Sequence, residues 1–372
     1  MGATHHASDF DPYHPYRSTL LAPERVRELS ALRPRIAVRD ALLCWALIIG
    51  AWALAAASGA WWMHVAAAVI VGTRYYGLFI IGHDGLHRRI FPTRGANDLF
   101  TDLLILGPIG AITRLNNKNH LSHHQHLGTD EDPDRFKHAC FNKTERIELL
   151  AFLTGLTSAF KAVYHVFILR GQSSAGSLRS ESATATARDA AYAAPSTAPS
   201  TVDGYSPRDL LILGGWQLAL IGGLSWTFGW WGYPLMWLAP VYLFTYLADL
   251  FRSFVEHSHP EADEKADHHR MITFESNVIE RWFIAPMHMN FHVAHHLWVG
   301  IPYYNLSVAD AEMTRHPLAA TLERRGSYLA YLWRYWRALP LDECKLGSAP
   351  STASSTAPHV TQGTQPRRTV KA

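Results

Sequence analysis

Four apolar runs of membrane length limit what this 372-residue chain can fold into. Residues 41–58 hold no Asp, Glu, Lys or Arg. At about 1.5 Å per residue, and with flanking residues included, that run suits a hydrocarbon core roughly 30 Å thick. The hinge Gly59-Ala60-Trp61-Trp62 leads into a second run that ends near Gly82. Residues 210–228 and 233–251 form a second pair, joined by Gly229-Trp230-Trp231-Gly232. Charged residues make up only 17% of the chain and tryptophans number 13, which suits a membrane protein with interfacial aromatics. The expected fold class is an all-α integral membrane protein with four transmembrane helices in two hairpins. A net charge of +3 gives no argument for nucleic acid as a partner.

Basic residues set the topology. Arg17, Arg25, Arg27, Arg33, Arg35 and Arg39 precede the first run, and Arg88, Arg89, Arg114 and Lys118 follow the second. Neither hairpin tip carries Lys or Arg. The positive-inside rule therefore places both termini in the cytoplasm. The chain divides into a cytoplasmic N-terminal segment (1–40), a first hairpin with its cytoplasmic extension (41–170), a disordered Ser/Ala/Thr/Pro-rich linker (171–208), a second hairpin with its extension (209–345) and a disordered tail (346–372). Residues 103–112 and 149–169 are apolar but read as interfacial or re-entrant, the first because it is short and holds Gly107-Pro108, the second because it carries Lys161 and His165. Arg74 is an anomaly inside the second run, where a charge costs about 2.5–3.5 kcal/mol on insertion scales. It reads either as a bundle-facing or snorkelling arginine, or as a polar contact along a substrate channel. Residues 314–339 are amphipathic, with Arg324, Arg325, Arg334 and Arg337 among Leu, Tyr and Trp. That pattern suits an interfacial helix, with a docking face for an acidic electron donor as the alternative.

Histidine carries the chemistry. Three clusters stand at the cytoplasmic ends of the runs: His83-Asp-Gly-Leu-His87, His120-Leu-Ser-His123-His124 and His292-Val-Ala-His295-His296. With 22 histidines in the chain, one H-x2-H-H arises by chance in roughly one such chain in ten, so two beside an H-x3-H are hard to blame on luck. Positions i, i+3 and i+4 share a helix face, so each cluster aims its imidazoles at one point. Eight convergent neutral imidazoles suit a transition-metal centre and exceed what one four-coordinate zinc can use. Cys44, Cys140 and Cys344 form no C-x2-C pair, which excludes a fused rubredoxin or zinc ribbon and a disulfide framework. Residues 1–18 lack the apolar core of a signal peptide.

The text around the clusters is as informative as the clusters. Asp84 lies inside the first, Glu131-Asp132-Pro133-Asp134 follows the second, and Ile301-Pro302-Tyr303-Tyr304-Asn305-Leu306 follows the third. With these features the chain resembles the membrane fatty acid desaturase family, which is recognised by H-x3-H, H-x2-H-H and a distal H-x2-H-H. The gap between His87 and His120 suits desaturases better than sterol-desaturase-type hydroxylases. The resemblance spans residues 40–310 and leaves the tails unassigned. It implies a cytoplasmic helical cap with two non-haem irons held by His83, His87, His120, His123, His124, His292, His295 and His296. It also implies O2 as co-substrate, two electrons from an external carrier, and a C=C bond introduced into an acyl lipid. Family members usually add a ninth ligand between the last span and the third cluster. His257, in Arg252-Ser-Phe-Val-Glu256-His257, is the best candidate, with His259, His268 and His269 competing. His126 reads as a neighbour of the site or a surface group, and His64, on the far side, is out of reach. Asp84, Glu256 and Asn290 adjoin ligands and are placed to orient imidazoles through the ring nitrogen not bound to metal, although ordinary helix-end polar roles fit them equally. Asp132 and Asp134 suit loop capping or support of a ligand, and sequence does not choose between these.

Two other readings compete. A diiron hydroxylase or ketolase acting on a carotenoid or another apolar substrate would use the same histidines. A histidine-rich protein that binds or transports zinc should instead place polar ligands near the membrane midplane, whereas these spans are nearly free of His, Asp and Glu. A membrane zinc hydrolase would leave half the histidines idle. No His-Pro-Gly-Gly element marks a fused haem domain, so the expected electron donor is a separate ferredoxin or cytochrome b5-like protein. A composition rich in Ala, Arg and Trp points to a bacterial inner membrane.

Overall fold

The computed structural model describes residues 13–127, 132–134, 137, 143–156, 204–258 and 271–340. Among these the chain is helical throughout, apart from short turns and one parallel pair of three-residue strands. Four helices are long and apolar enough to cross a membrane. Two short helices, α1 (His14–Thr19) and α2 (Pro23–Leu29), come first, followed by the first span, α3 (Pro34–Ser58). Pro34 opens α3, where its missing N–H costs nothing. Gly59 closes it in the left-handed conformation (φ 63°), bonding back to Ala55 O, and the chain turns at once into α4 (Trp61–Leu86). Both helices outrun their apolar stretches. The sequence suggested ends at residues 41 and 82, yet α3 starts at Pro34 and α4 continues through the first histidine cluster.

α5 (Arg94–Thr101) runs into one π-helical turn (Asp102–Leu106) and one 3-10 turn (Gly107–Ile109). Residues 103–112 thus form no span, as expected from their length. The wide turn strands carbonyls in an apolar setting, where an unmet acceptor is costly. Two indoles reach them: Trp45 Nε1 donates to Leu104 O (2.9 Å) and Trp216 Nε1 to Leu103 O (2.6 Å). Next come α6 (Thr113–His126) and α7 (Arg146–Leu153). Residues 157–169 of the expected interfacial stretch 149–169 lie outside the described residues.

α8 (Pro207–Phe228) begins with a capping box, Ser206 and Asp209 exchanging bonds with each other's backbone. The fourth span, α9 (Pro234–His257), contains two π-helical turns, Pro234–Leu238 and Tyr242–Tyr246. It lies close against α4 at Gly72, where an added Cβ would sit 2.6 Å from the Phe244 side chain. An aromatic cluster joins the spans: Trp45 stacks on Trp216 (5.3 Å) and on Trp237 (6.2 Å), and Tyr75 meets Trp237 edge-on (4.8 Å). The outer faces are apolar and bare, with Trp61 77%, Leu211 77% and Trp226 92% exposed, which is how a lipid-facing surface looks without its lipid.

After α9 come β1 (Ile272–Phe274), α10 (Val278–Phe283), α11 (His292–Leu297), α12 (Tyr303–Met313), β2 (Glu323–Arg325) and α13 (Tyr328–Ala338). β1 and β2 pair in parallel, with Thr273 opposite Arg324. Tyr328, Tyr331 and Tyr335 of α13 pack into a buried cluster with Phe254 of α9 and Phe274 of β1, while Leu329 and Trp333 face outward. The expected interfacial helix therefore has one face committed to the core beside the histidines.

Candidate metal centre

Most of the cluster histidines fall at the C-terminal ends of helices, while His120 lies mid-way along α6 and His292 opens α11. His83 and His87 close α4, His123 and His124 stand in the last turn of α6, His257 is the final residue of α9, and His295 and His296 end α11. Helix C-termini carry partial negative charge, so several dipoles here favour a cation. α4 stops sharply. Arg89 N–H bonds back to Asp84 O and Arg88 N–H to Gly85 O, with Arg88 in the left-handed conformation (φ 55°) where glycine is usual. Arg88 offsets that strain by reaching Asp98 Oδ1 (3.2 Å) and Asn117 Oδ1 (3.3 Å), which ties α4 to α5 and α6. Asn97 of α5 receives Ile90 N–H (3.1 Å) and donates to Gly85 O (2.8 Å), clasping the same turn. The start of α6 is held by Asp102, which accepts Thr113 N–H (2.7 Å), and by Arg114, which donates to Asp209 of α8 (3.0 Å).

These anchors bring nine histidines into two adjoining groups. His83, His87, His120, His124 and His295 have ring nitrogens within 4.8 Å of one another, as do His123, His257 and His296. His292 Nε2 lies 2.9 Å from His257 Nε2, joining the second group. The groups meet where the His124 and His296 rings lie tilted against each other, 4.2 Å between centroids. All eight box histidines and His257 are thus together. His64 instead bonds to Ala60 O (2.9 Å), far from the site. His126, partly buried at the end of α6, belongs to neither group. His259, His268 and His269 lie outside the described residues.

The donor set fits a metal. His120 Nε2 faces His87 Nε2 at 2.9 Å and His124 Nε2 at 3.2 Å, and His124 Nε2 faces His295 Nε2 at 3.2 Å. One imidazole nitrogen offers either a proton or a lone pair, so His120 cannot satisfy both neighbours by hydrogen bonding. With metal–nitrogen bonds of roughly 2.0–2.1 Å, ligand nitrogens stand about 2.9 Å apart at right angles and about 3.4 Å apart in a tetrahedron, the range seen here. The far nitrogens, Nδ1 of His83, His87, His124, His292 and His295, are buried with no hydrogen-bond partner. Burial, followed by Arg89 and His123, pushes His87 down to about 3. His120, His124, His292, His295 and His296 are held well below the usual imidazole range, again by burial first and then by neighbouring charge. Neutral imidazoles are the form that ligates.

The surrounding polar groups divide in a way the sequence did not settle. Glu256, fully buried, accepts from Arg252 Nη1 (2.6 Å) and Tyr328 Oη (2.6 Å). Its Oε2 also lies 3.2 Å from His292 Nδ1. The approach is off-line, so a small ring rotation is needed to make a full bond. Asp132 Oδ1 lies 2.9 Å from His123 Nδ1 and also takes Asp134 N–H (2.9 Å), so it serves as both loop cap and ligand support. Asp84 and Asn290 depart from the imidazole-orienting role. Asp84 accepts Tyr303 N–H (2.7 Å) and fixes the segment after the third cluster, and Asn290 Nδ2 donates to Phe274 O (2.8 Å) and fixes β1. Arg252 and Tyr328 went unnoticed in sequence. Arg252 left a signal, since it stands four residues before Glu256 on one helix. Tyr328 left none, because 72 residues separate it from the carboxylate it reaches.

Fold and site together define a helical membrane protein built around an imidazole-rich centre suited to metal. The fatty acid desaturase family model matches residues 59–328, and the chain belongs to that family. It is an oxidoreductase, a membrane-bound fatty acid desaturase whose chemistry depends on iron. The chain is 26% identical over 277 residues to an sn-1 acyl-lipid omega-3 desaturase (ferredoxin) of Nostoc sp. (strain 36), covering 70% of each protein. It is 26% identical over 316 residues to an sn-1 oleoyl-lipid 12-desaturase of Anabaena variabilis, covering 80% of each. A beta-carotene ketolase of Paracoccus sp. (strain N81106 / MBIC 01143) is 35% identical over 96 residues, which is 23% of this chain and 40% of the ketolase.

Proposed function

We propose that this desaturase binds two iron ions, one among His83, His87, His120, His124 and His295 and the other among His123, His257, His292 and His296, and uses O2 to introduce a double bond into the acyl chain of a membrane lipid. The observation that carries the reading is the pair of adjoining nitrogen groups, the first of which holds more converging lone pairs than hydrogen bonds can satisfy. Iron bound there supplies the oxidising power to take two hydrogens from unactivated carbons, with O2, two electrons and two protons ending as two waters. The chain's own residues do the positioning. Glu256 and Asp132 hold His292 and His123 from behind, and Asp84 anchors the backbone that follows the third cluster. Such support typically changes metal affinity or activity by about 10–100-fold.

The acyl-lipid substrate follows the names of the relatives matched over most of their length. The ketolase match is higher in identity but covers less than half of that protein, so the carotenoid reading ranks second. Electrons come from a separate carrier, and the ferredoxin in one relative's name favours that donor over a cytochrome b5-like one. The arginine-rich ends of the spans and the cation-free hairpin tips support a cytoplasmic location for the histidines and both termini, and the composition rich in Ala, Arg and Trp supports a bacterial inner membrane. Of the expected linker and tail, residues 171–203 and 346–372 lie outside the described residues, and residues 207–208 belong to α8.

The test is untargeted lipid mass spectrometry on membranes of a host expressing this chain, against His292→Ala. An acyl product two hydrogens lighter, lost in the variant, is expected. A product heavier by one oxygen would move the enzyme to hydroxylation at the same centre.

A further inference from the structure

We propose that Arg74 binds an acidic oxygen of the lipid substrate, a carboxylate or a phosphate, and thereby sets which carbon reaches the histidines; this rests on the acyl-lipid reading above. Arg74 sits mid-way along α4 and is only 8% exposed. Its Nε and Nη2 are buried with no hydrogen-bond partner, and no carboxylate among the described residues pairs with it. A permanently charged guanidinium at that depth is costly unless an anion meets it. The described residues give it a surface, not a counter-ion: Cζ lies 3.5 Å above the Trp282 ring. Stacking fixes the plane of the fork and leaves its donors unspent, the geometry that suits an incoming oxyanion.

The surroundings suit a lipid. Trp282 is 44% exposed, and beside it on α10 Ile279 and Val278 are 70% and 78% exposed, so the site borders a bare apolar surface. Phe283 of the same helix meets Phe244 of α9 (6.1 Å), which sets α10 beside the spans. One turn along α4 toward the histidines, Gly77 faces Met287 and Cys44, with an added Cβ 3.2 Å from Met287 Cε and 3.5 Å from Cys44 Sγ. This wall is built from a missing side chain, a small one and a flexible one. From Arg74 to His83 is nine residues, or roughly 13 Å of helix. An extended chain advances roughly 1.2 Å per bond. A fatty acid gripped by its carboxylate at Arg74 and lying along α4 therefore brings about its tenth to twelfth carbon level with the first histidine, and a phospholipid gripped by its phosphate, about five bonds farther off, an acyl carbon about five positions earlier.

The test is native mass spectrometry of the purified iron-loaded protein with four probes: oleate, phosphatidylglycerol, and the oxyanion-free oleyl alcohol and dioleoylglycerol. Wild type should retain one oleate or one phosphatidylglycerol, and which of the two it prefers identifies the oxyanion as carboxylate or phosphate. Arg74→Gln should lower that retention at least ten-fold, and Arg74→Lys should recover part of it. Equal retention in wild type and Arg74→Gln, or neutral lipids held as well as acidic ones, would overturn the proposal. Should Arg74→Gln fail to accumulate, Arg74→Lys and Trp282→Ala carry the comparison, both expected to weaken acidic-lipid retention several-fold. In host membranes, Arg74→Gln at unchanged iron content should spread the double bond over several positions, and a single unchanged position would refute the positioning role. Binding needs no turnover, so an Arg74-dependent oleate complex without desaturation counts against the proposed function and not against this site.

Discussion

Glu256→Gln separates support of the metal centre from support of the fold. The native carboxylate takes two donors in a fully buried place, Arg252 Nη1 and Tyr328 Oη at 2.6 Å each, and its Oε2 lies 3.2 Å from His292 Nδ1. Glutamine keeps the volume and leaves a carbonyl for Arg252, while its amide can donate to Tyr328 Oη. The ion pair with Arg252 becomes a bond from a charged donor to a neutral carbonyl, and the Tyr328 bond becomes a neutral one, which together costs about 1–3 kcal/mol. Glu256→Ala instead leaves the buried Arg252 with Asp249 as its one carboxylate partner among the described residues (3.0 Å) and costs more, about 3 kcal/mol. His292 loses its anionic backstop in both variants, so iron affinity or turnover should fall about 10–100-fold even in the better-folded glutamine form. The assay measures iron per chain by elemental mass spectrometry, turnover per bound iron, and thermal unfolding in detergent. A glutamine variant that keeps wild-type iron and turnover would refute the claim that Glu256 holds His292, whatever its stability.

Three shorter predictions accompany this one. Asp132→Ala removes the carboxylate behind His123 Nδ1 and should weaken the second nitrogen group by about 10–100-fold, so that iron at limiting supply falls from two toward one per chain; an unchanged stoichiometry speaks against it. Gly85→Ala would place a Cβ 2.6 Å from Thr101 Cγ2 and force α5 from α4, at about 1–3 kcal/mol; an unaltered unfolding temperature would show that the contact yields. The third concerns protons. His87 sits at about 3 in the folded chain, against roughly 6.5 for a free imidazole. Between those values the unfolded chain binds more protons, so stability rises with pH across that window. Metal-free protein should unfold at a lower temperature at pH 5 than at pH 7.5, and equal temperatures would contradict this.

Much of the site could be read from residues close together in the chain. The histidines repeat at helical spacing, so their convergence follows from local geometry, and His257 stands out as the histidine at the end of a span beside a glutamate. The spans show themselves by the absence of charge, but their ends do not. α4 runs past Gly82 because protein, not water, covers His83 and Asp84, and hydropathy does not register a cap built from distant segments. For the same reason Asp84 and Asn290 look like partners of adjacent histidines, whereas folding brings them the backbones of Tyr303 and Phe274. Arg74 shows the limit most clearly. Its charge marks it as odd in sequence, but only the fold sets it on Trp282 with its donors free.

The central claim is that nine histidines hold two irons, and metal content tests it most directly. The chain is purified from iron-supplemented cells and its iron, zinc and manganese are measured per chain, beside His124→Ala and His257→Ala. The account predicts two irons with little zinc in the native chain and less iron in each variant. Stoichiometric zinc, or a single iron that both variants retain, would contradict it.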